Sequence, residues 1–218
     1  MNKILLIEDD RQISDSIKSF LDSKGYQTTT AYSYTEAITK LDENFDLAIL
    51  DLNLPDESGI ILLKKLKDRN TRVIIATVKD DENFIVEALD KGADDYLTKP
   101  FNLSVLRARI DASLRTIPIK VGNKIEVGEC VLDLDKAIIF YESKQVDFTS
   151  LEYEVMSLFI KNPNRIFTRE QLLERFWENK NQFVNDNTLT ATIRRIRNKT
   201  SKTLLKTVRG IGYRMEIL

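Results

Sequence analysis

Three short apolar runs, each ended abruptly by an acid or a hydroxyl, constrain the first half of this chain more than any other feature. Lys3–Ile7 (KILLI) stops at Glu8-Asp9-Asp10, Leu47–Leu50 (LAIL) stops at Asp51, and Val73–Thr77 (VIIAT) closes on its own threonine. Continuous Ile/Leu/Val segments of this length are what strands buried on both faces look like. A Thr-rich stretch at Gln27–Ala31 and a short one at Asp95–Leu97, before Lys99-Pro100, extend the series. Between them apolar residues recur at helical spacing: Ile13, Ile17, Phe20 and Leu21, then Ile60–Leu66, Phe84–Leu89 and Leu103–Leu114. Ser33-x-x-Glu36 has the form of a capping box opening a further helix. Five strand–helix units in about 115 residues predict an α/β doubly wound five-stranded parallel sheet.

The composition then removes whole classes of chemistry. The 218 residues contain no histidine and one cysteine, Cys130. Imidazole bases, Ser-His-Asp triads, multi-Cys zinc sites and disulfide frameworks are excluded. No apolar run approaches the roughly 20 residues that span a bilayer, and no charged-then-apolar leader is present, so a cytoplasmic protein without a membrane segment is expected. The net charge of −1 conceals an asymmetry. Residues 1–116 hold 16 Lys+Arg and 21 Asp+Glu, whereas 117–218 hold 17 and 13. In the last 25 residues eight basic side chains face Glu216 alone. An acidic front and a basic end point to cation chemistry at one end and nucleic acid at the other.

Ligands of open parallel sheets sit beyond the carboxyl ends of the strands. Those ends would gather Glu8-Asp9-Asp10, Asp51, Thr77 and Lys99. Carboxylates converging with one lysine form a hard, all-oxygen cation site suited to Mg²⁺. A carboxylate there can itself attack phosphorus and become an acyl phosphate, with the lysine and the threonine hydroxyl on the phosphoryl oxygens. Asp10 is expected to face solvent beside the site. An enzyme of the DxD phosphatase kind is the main rival, but Asp51-Leu52-Asn53 lacks the second Asp and follows the third strand instead of the first.

After Thr116 the pattern changes. Residues 117–123, with Pro118 and Gly122, read as a linker, and 124–148 as short β-like runs. Thr149-x-x-Glu152 and Thr168-x-x-Gln171 are two more capping boxes, each leading into an apolar helix face. Thr188–Lys199 places Leu189, Ile193 and Ile196 on one stripe. Small polar residues early and arginines later suit a helix in the major groove. The closing TVRGIGYR predicts a hairpin with Arg209 at its tip, suited to the minor groove. Its Gly-x-Gly is a turn, since no helix follows it.

Taken together, ILLIEDD, LAILDLNLPDESG, VIIAT and GADDYLTKPF resemble the receiver domain of two-component response regulators over residues 1–116, a flavodoxin-like fold. The resemblance implies that Asp51 accepts a phosphoryl group from a sensor histidine kinase, which suits a chain with no histidine of its own. It implies Mg²⁺ held by Glu8, Asp9, Asp51 and the carbonyl of Asn53. Thr77 and Tyr96 would form the switch pair, Lys99 would pair with the phosphorylated aspartate, and Lys99-Pro100 would be cis. The residue after the threonine, usually small in that family, is Val78, whose methyls would narrow access to Asp51.

Residues 124–218 resemble the α+β winged helix-turn-helix output domain of OmpR/PhoB-type regulators, through FTSLEYEVMSLF, NPNRIFTREQLLERFW and TVRGIGYR. Carried over by position, Asn187, Thr188, Ala191 and Thr192 face bases, while Arg194, Arg195 and Arg197 lie near the DNA backbone. Arg209 would reach the minor groove. Asn187 stands where that family often has arginine. The loop 178–186 would touch RNA polymerase. Activation would form a homodimer through Ile85, Val86, Leu89, Asp95, Val105 and Arg109, with an exposed apolar pair, Ile85 and Val105, where charges are usual. The expected function is a phosphorylation-activated, sequence-specific DNA-binding regulator, not an enzyme. The alternative is a regulator of the same fold that acts without phosphate.

Overall fold

The computed structural model describes residues 1–78, 82–115, 119–177 and 186–217. They form two compact units, Met1–Leu114 and Arg115–Leu218.

In the first unit the strands are β1 (Lys3–Ile7), β2 (Gln27–Ala31), β3 (Leu47–Leu50), β4 (Arg72–Thr77) and β5 (Asp95–Thr98). All pair in parallel, in the order β2-β1-β3-β4-β5. Ile4 to Ile7 and Leu47 to Leu50 are essentially fully buried, each large side chain contributing roughly 1.5–3 kcal/mol of transfer free energy. The helices are α1 (Arg11–Ser23), α2 (Tyr34–Lys40), α3 (Gly59–Asp68), α4 (Glu82–Asp90) and α5 (Leu103–Arg115). α1 presents Ile17 and Leu21 to the sheet, and α5 presents Leu106 and Ile110. The order of the sheet reverses between β2 and β3, on either side of β1, which opens a crevice at the carboxyl ends of β1 and β3.

Two local expectations are refined. Asp10 is exposed, but it also N-caps α1, accepting from the Gln12 and Ile13 amides at 2.8 and 3.1 Å. The Ser33 box is half formed. Ser33 accepts from Glu36 N, while the Glu36 carboxylate takes the amide of Tyr32 instead of that of Ser33.

The second unit opens with a five-stranded antiparallel sheet of β6 (Ile119–Val121), β7 (Lys124–Val127), β8 (Cys130–Asp133), β9 (Ile138–Tyr141) and β10 (Lys144–Val146). Part of the expected linker is therefore strand. Ile119–Val121 pairs with β7 across a two-residue turn at Gly122-Asn123, so the glycine marks a hairpin and not a flexible joint. Helices α6 (Ser150–Lys161), α7 (Arg169–Phe176) and α8 (Asp186–Lys199) follow, α8 starting before the expected Thr188. Thr149/Glu152 and Thr168/Gln171 form complete capping boxes at α6 and α7. Strands β11 (Ile166–Thr168), β12 (Leu205–Val208) and β13 (Gly212–Met215) make a small antiparallel sheet in the order β11-β13-β12. Phe159, Leu172, Ile193, Ile196 and Tyr213 share one core. Gly212 lies opposite Thr168, where a β-carbon would collide with the Phe167 carbonyl oxygen. Gly210 adopts φ +76°, a left-handed conformation that glycine supplies without strain.

Candidate functional site

The crevice of the first unit is built from strand ends. β1 delivers Glu8, β3 delivers Asp51, and β4 ends at Thr77, all three buried. The segment after β5 carries Lys99, whose amide donates to the Thr77 carbonyl at 2.7 Å and whose bond to Pro100 is cis. Lys99 Nζ lies 2.5 Å from Glu8 Oε2 and 2.5 Å from Asp51 Oδ2. Carboxylate oxygens of Glu8, exposed Asp9 and Asp51 lie within 4.8 Å of one another. Burial raises the Glu8 carboxyl above its usual range, against the pull of Lys99, with Asp51 and Asp9 adding to the rise. For Lys99 burial acts downward, but Asp51 and Glu8 outweigh it and the ammonium is held above its ordinary value. Three acids facing one ammonium is an excess of negative charge in a low-dielectric crevice, which is what attracts a further cation.

The loop after β3 is shaped around this pocket. The Asn53 amide donates to Asp51 Oδ1 at 2.9 Å and fixes the carboxylate. Gly59 opens α3 against the Asp51 carbonyl, where a β-carbon would sit only 2.6 Å from that oxygen. Asp56 accepts from the Tyr34 and Thr35 amides, both at 2.8 Å, and is held down at about 2 by those donors. The sequence reading passed over Gly59 and Asp56, although the run Asp56-Glu57-Ser58-Gly59 already combined an acid with a glycine at a turn. Tyr96 is half-buried on β5, and Val78 is 63% exposed beyond β4.

On the face formed by α4, β5 and α5 the structure corrects the reading. Ile85 and Leu89 are buried, so they face their own sheet and leave no exposed Ile85–Val105 pair. Their spacing, i and i+4, puts both on the inner stripe of α4. Val86 is half-buried and Val105 is 45% exposed. Asp95 is buried and pairs within its own chain, at 2.5 Å from Arg109.

In the second unit α8 turns Leu189, Ile193 and Ile196 inward. Thr192 joins them. It is 1% exposed and donates to the Thr188 carbonyl at 2.9 Å, which removes it from the residues expected to face bases. It sits three residues after Leu189 and four before Ile196, on the core stripe. Arg197 is likewise engaged internally. Nε donates to the Leu205 carbonyl at 2.8 Å and Nη2 to Thr207 at 2.9 Å, tying α8 to β12. The outer face shows Thr190, Ala191, Arg194 and Arg195, with Thr188 half-buried beside them. Asn187 lies in the first turn of α8, and residues 178–185 of the expected polymerase loop fall outside the described residues. Arg209 stands exposed in the turn between β12 and β13. Arg169, unmarked in the sequence reading, donates to Tyr213 Oη at 2.7 Å and to Thr190 Oγ1 at 3.0 Å, joining α7, β13 and α8.

Glu152 anchors the other end of α8. Burial alone would raise its carboxyl, but Lys199 at 2.7 Å and the Thr149 amide at 2.9 Å lower it below the usual value. Because the folded value is depressed, the stabilisation is complete above the ordinary pKa near 4.5 and disappears as pH falls through the folded one. We expect Glu152→Gln to lower stability at pH 7 by roughly 1–3 kcal/mol, and by less at pH 3. Urea unfolding at the two pH values checks this. An equal loss at both would assign the effect to packing.

Comparison with known proteins agrees with this arrangement. Residues 4–111 match the response regulator receiver domain, and residues 143–215 match the C-terminal domain of transcriptional regulatory proteins. The response regulator ArlR of Staphylococcus haemolyticus is 36% identical over 220 residues, covering 98% of this chain and 99% of the relative. The phosphate regulon transcriptional regulatory protein PhoB of Escherichia coli is 35% identical over 222 residues, covering 97% and 96%. Among solved structures, the Thermotoga maritima response regulator DrrB, an OmpR/PhoB homologue, covers both chains fully at 28% identity and a TM-score of 0.53. A receiver that ends its strands on Glu8, Asp51, Thr77 and Lys99, followed by a helix and hairpin bearing exposed arginines, thus belongs to the OmpR/PhoB family of two-component response regulators.

Proposed function

We propose that this regulator takes a phosphoryl group on Asp51 from a sensor histidine kinase and thereby gains affinity for repeated DNA half-sites. The observation that carries the proposal is the buried Glu8–Lys99–Asp51 pairing beside exposed Asp9. In the transfer an Asp51 carboxylate oxygen forms the new P–O bond. The donor's N–P bond breaks, and its electron pair returns to the imidazole nitrogen. Lys99 stands where it balances charge on the phosphoryl oxygens, and the Thr77 hydroxyl is the donor from β4. Tyr96, next to Asp95 on β5, is the partner we assign to Thr77 in the switch. The donor set, carboxylates of Glu8, Asp9 and Asp51 with the Asn53 carbonyl, is all oxygen and fits Mg²⁺. Bound there, Mg²⁺ would neutralise charge between the carboxylates and the phosphoryl group. Val78 narrows the approach to Asp51.

Phosphorylation favours a homodimer through α4, β5 and α5, with exposed Val105 and half-buried Val86 as its apolar contacts. Two output units on adjacent half-sites then raise affinity by effective concentration. Among the described residues no helix is long and apolar enough to cross a membrane, and we place the activity in the cytoplasm with RNA polymerase as a further partner through residues 178–186.

On DNA, Asn187, Thr188 and Ala191 are the base-facing set, while Arg194, Arg195 and Arg209 meet phosphates or the minor groove. Arg209→Ala and Arg195→Ala should weaken binding to every sequence and reduce the salt slope by about one unit each. Replacements at Asn187 or Thr188 should change which sequence is preferred, each lost base contact costing about 1–3 kcal/mol. Affinity measured against salt for specific and scrambled duplexes separates the two. A wing substitution that alters preference while helix substitutions alter nothing would overturn the docking.

A further inference from the structure

On the Mg²⁺ reading of the crevice, one ligand is a main-chain oxygen, the carbonyl of Asn53. Such a ligand is only as well placed as its loop, and residues 53–58 are poorly held by packing. Leu54 is half-buried and the other five residues are exposed. Without a buried side chain, the loop keeps its shape through hydrogen bonds.

The base of the loop is closed from within. The Asn53 amide donates to Asp51 Oδ1 at 2.9 Å, and the Gly59 amide donates to the Leu52 carbonyl at 3.1 Å. Neither bond uses the Asn53 carbonyl. Asn53 and Ser58 also face each other in an isolated antiparallel bridge, so residues 54–57 form a small lobe.

The tip of the lobe is tied from outside. Each carboxylate oxygen of Asp56 takes one amide from the first turn of α2, Oδ1 that of Tyr34 and Oδ2 that of Thr35, both at 2.8 Å. Bonds to an ionised carboxylate are roughly twice as strong as neutral ones. These two join positions 22 and 21 residues apart, so they fix the lobe against a second loop instead of shaping a local turn. The helix has a cap of its own, Ser33, whose hydroxyl accepts from the Glu36 amide at 3.1 Å. When the tie opens, α2 keeps that start signal, whereas the tip of the lobe is released.

We propose, on the Mg²⁺ reading of the crevice, that Asp56 is a positioning residue. By tying the lobe to α2 it holds the Asn53 carbonyl in place, and metal affinity comes to depend on a contact outside the metal site. Asp56 supplies no ligand itself. A lobe that is already ordered loses less freedom when the metal binds, so the tie acts on affinity. The coupling is reciprocal: a bound metal holds the tie closed by the same free energy, and α2 senses occupancy of a site to which it contributes no residue.

The test titrates the full chain with MgCl₂ by calorimetry and follows amide exchange by NMR. Asp56→Ala should weaken Mg²⁺ by about fivefold or more. Two controls separate the tie from its neighbours. Glu57→Gln removes a charge from the same lobe and keeps the tie, and Ser33→Ala weakens α2 and leaves the lobe alone. Both should stay within about twofold of the parent. With acetyl phosphate, Asp56→Ala should raise the Mg²⁺ concentration that gives half the maximal rate while the rate at saturating Mg²⁺ persists. In the parent, Mg²⁺ should slow exchange of the Tyr34 and Thr35 amides. Equal Mg²⁺ affinity in the parent and Asp56→Ala would overturn this proposal alone, whereas a parent that binds no Mg²⁺ would remove the metal reading with it. An equal loss in Glu57→Gln would assign the effect to charge, and an equal loss in Ser33→Ala to a loosened helix; either outcome also overturns the tie. If Asp56→Ala does not melt cooperatively, the exchange of the two amides in the parent decides, and exchange indifferent to Mg²⁺ refutes the coupling.

Discussion

Asp51→Asn should bring phosphoryl incorporation from acetyl phosphate to background, while the fold and basal DNA binding persist. The amide matches the carboxylate in size, and the Asn53 amide can still bond to its oxygen, so the loop after β3 keeps its shape. What disappears is the nucleophile proposed above. Intact-mass measurement should show one added phosphoryl group on the parent, acid-stable and base-labile, and none on the variant. The phosphate-dependent gains in molecular mass and DNA affinity should vanish with it. Asp9→Asn should weaken the same reaction through loss of metal binding, and EDTA should mimic it in the parent. A mark that survives Asp51→Asn would assign the acceptor elsewhere. A mark that survives EDTA would remove Mg²⁺ from the mechanism.

The second large effect is expected at Lys99. Among the described residues its ammonium alone pairs with both Glu8 and Asp51, at 2.5 Å from each, and its side chain is only 10% exposed. Lys99→Met keeps the stem and deletes the charge, leaving carboxylates facing one another in a buried crevice. Removing one partner of a buried ion pair typically costs about 3–5 kcal/mol. We expect a loss near the lower end, because Glu8 can take up a proton and relieve part of the repulsion. Millimolar Mg²⁺ should restore part of the stability, since a second cation source then balances the same carboxylates. Urea unfolding with and without Mg²⁺ measures both effects. A Lys99→Met protein as stable as the parent would mean that Glu8 and Asp51 lose their charge or regain solvent without cost, and that Lys99 is not needed to balance them.

Much of this was legible in the sequence because it depends on short-range pattern. KILLI, LAIL and VIIAT became β1, β3 and β4, since runs apolar on both faces have few other homes than a covered parallel sheet. The polar residues that end those runs therefore had to gather at one edge, and Glu8, Asp51 and Thr77 do, joined by Lys99 from just beyond β5. The Thr149 and Thr168 boxes fixed two helix starts, as local hydrogen bonding allows. What failed needed information about facing. Ile85 and Leu89 share spacing with any amphipathic stripe, and sequence cannot say whether that stripe meets its own sheet or another molecule. Thr192 and Arg197 are polar, but their polarity is spent inside the unit, on a carbonyl one turn away and on a neighbouring strand. The β6 strand was hidden because its partner, β7, lies just beyond a glycine that also suits a linker. Arg169 left no local signal, since its partners Tyr213 and Thr190 are distant in sequence.

Arg169 and Arg197 have one more consequence. Between them they fasten α8 to α7, to β12 and to β13, so helix and hairpin form a caliper of fixed jaw width. On the docking proposed above, such a caliper should not follow a target in which a base pair is inserted between the helix contact and the wing contact. Any tolerance for altered spacing must come from bending or twisting of the duplex, at a price set by its sequence. The bases between the two contacts, touched by neither jaw, are then selected for how readily they deform.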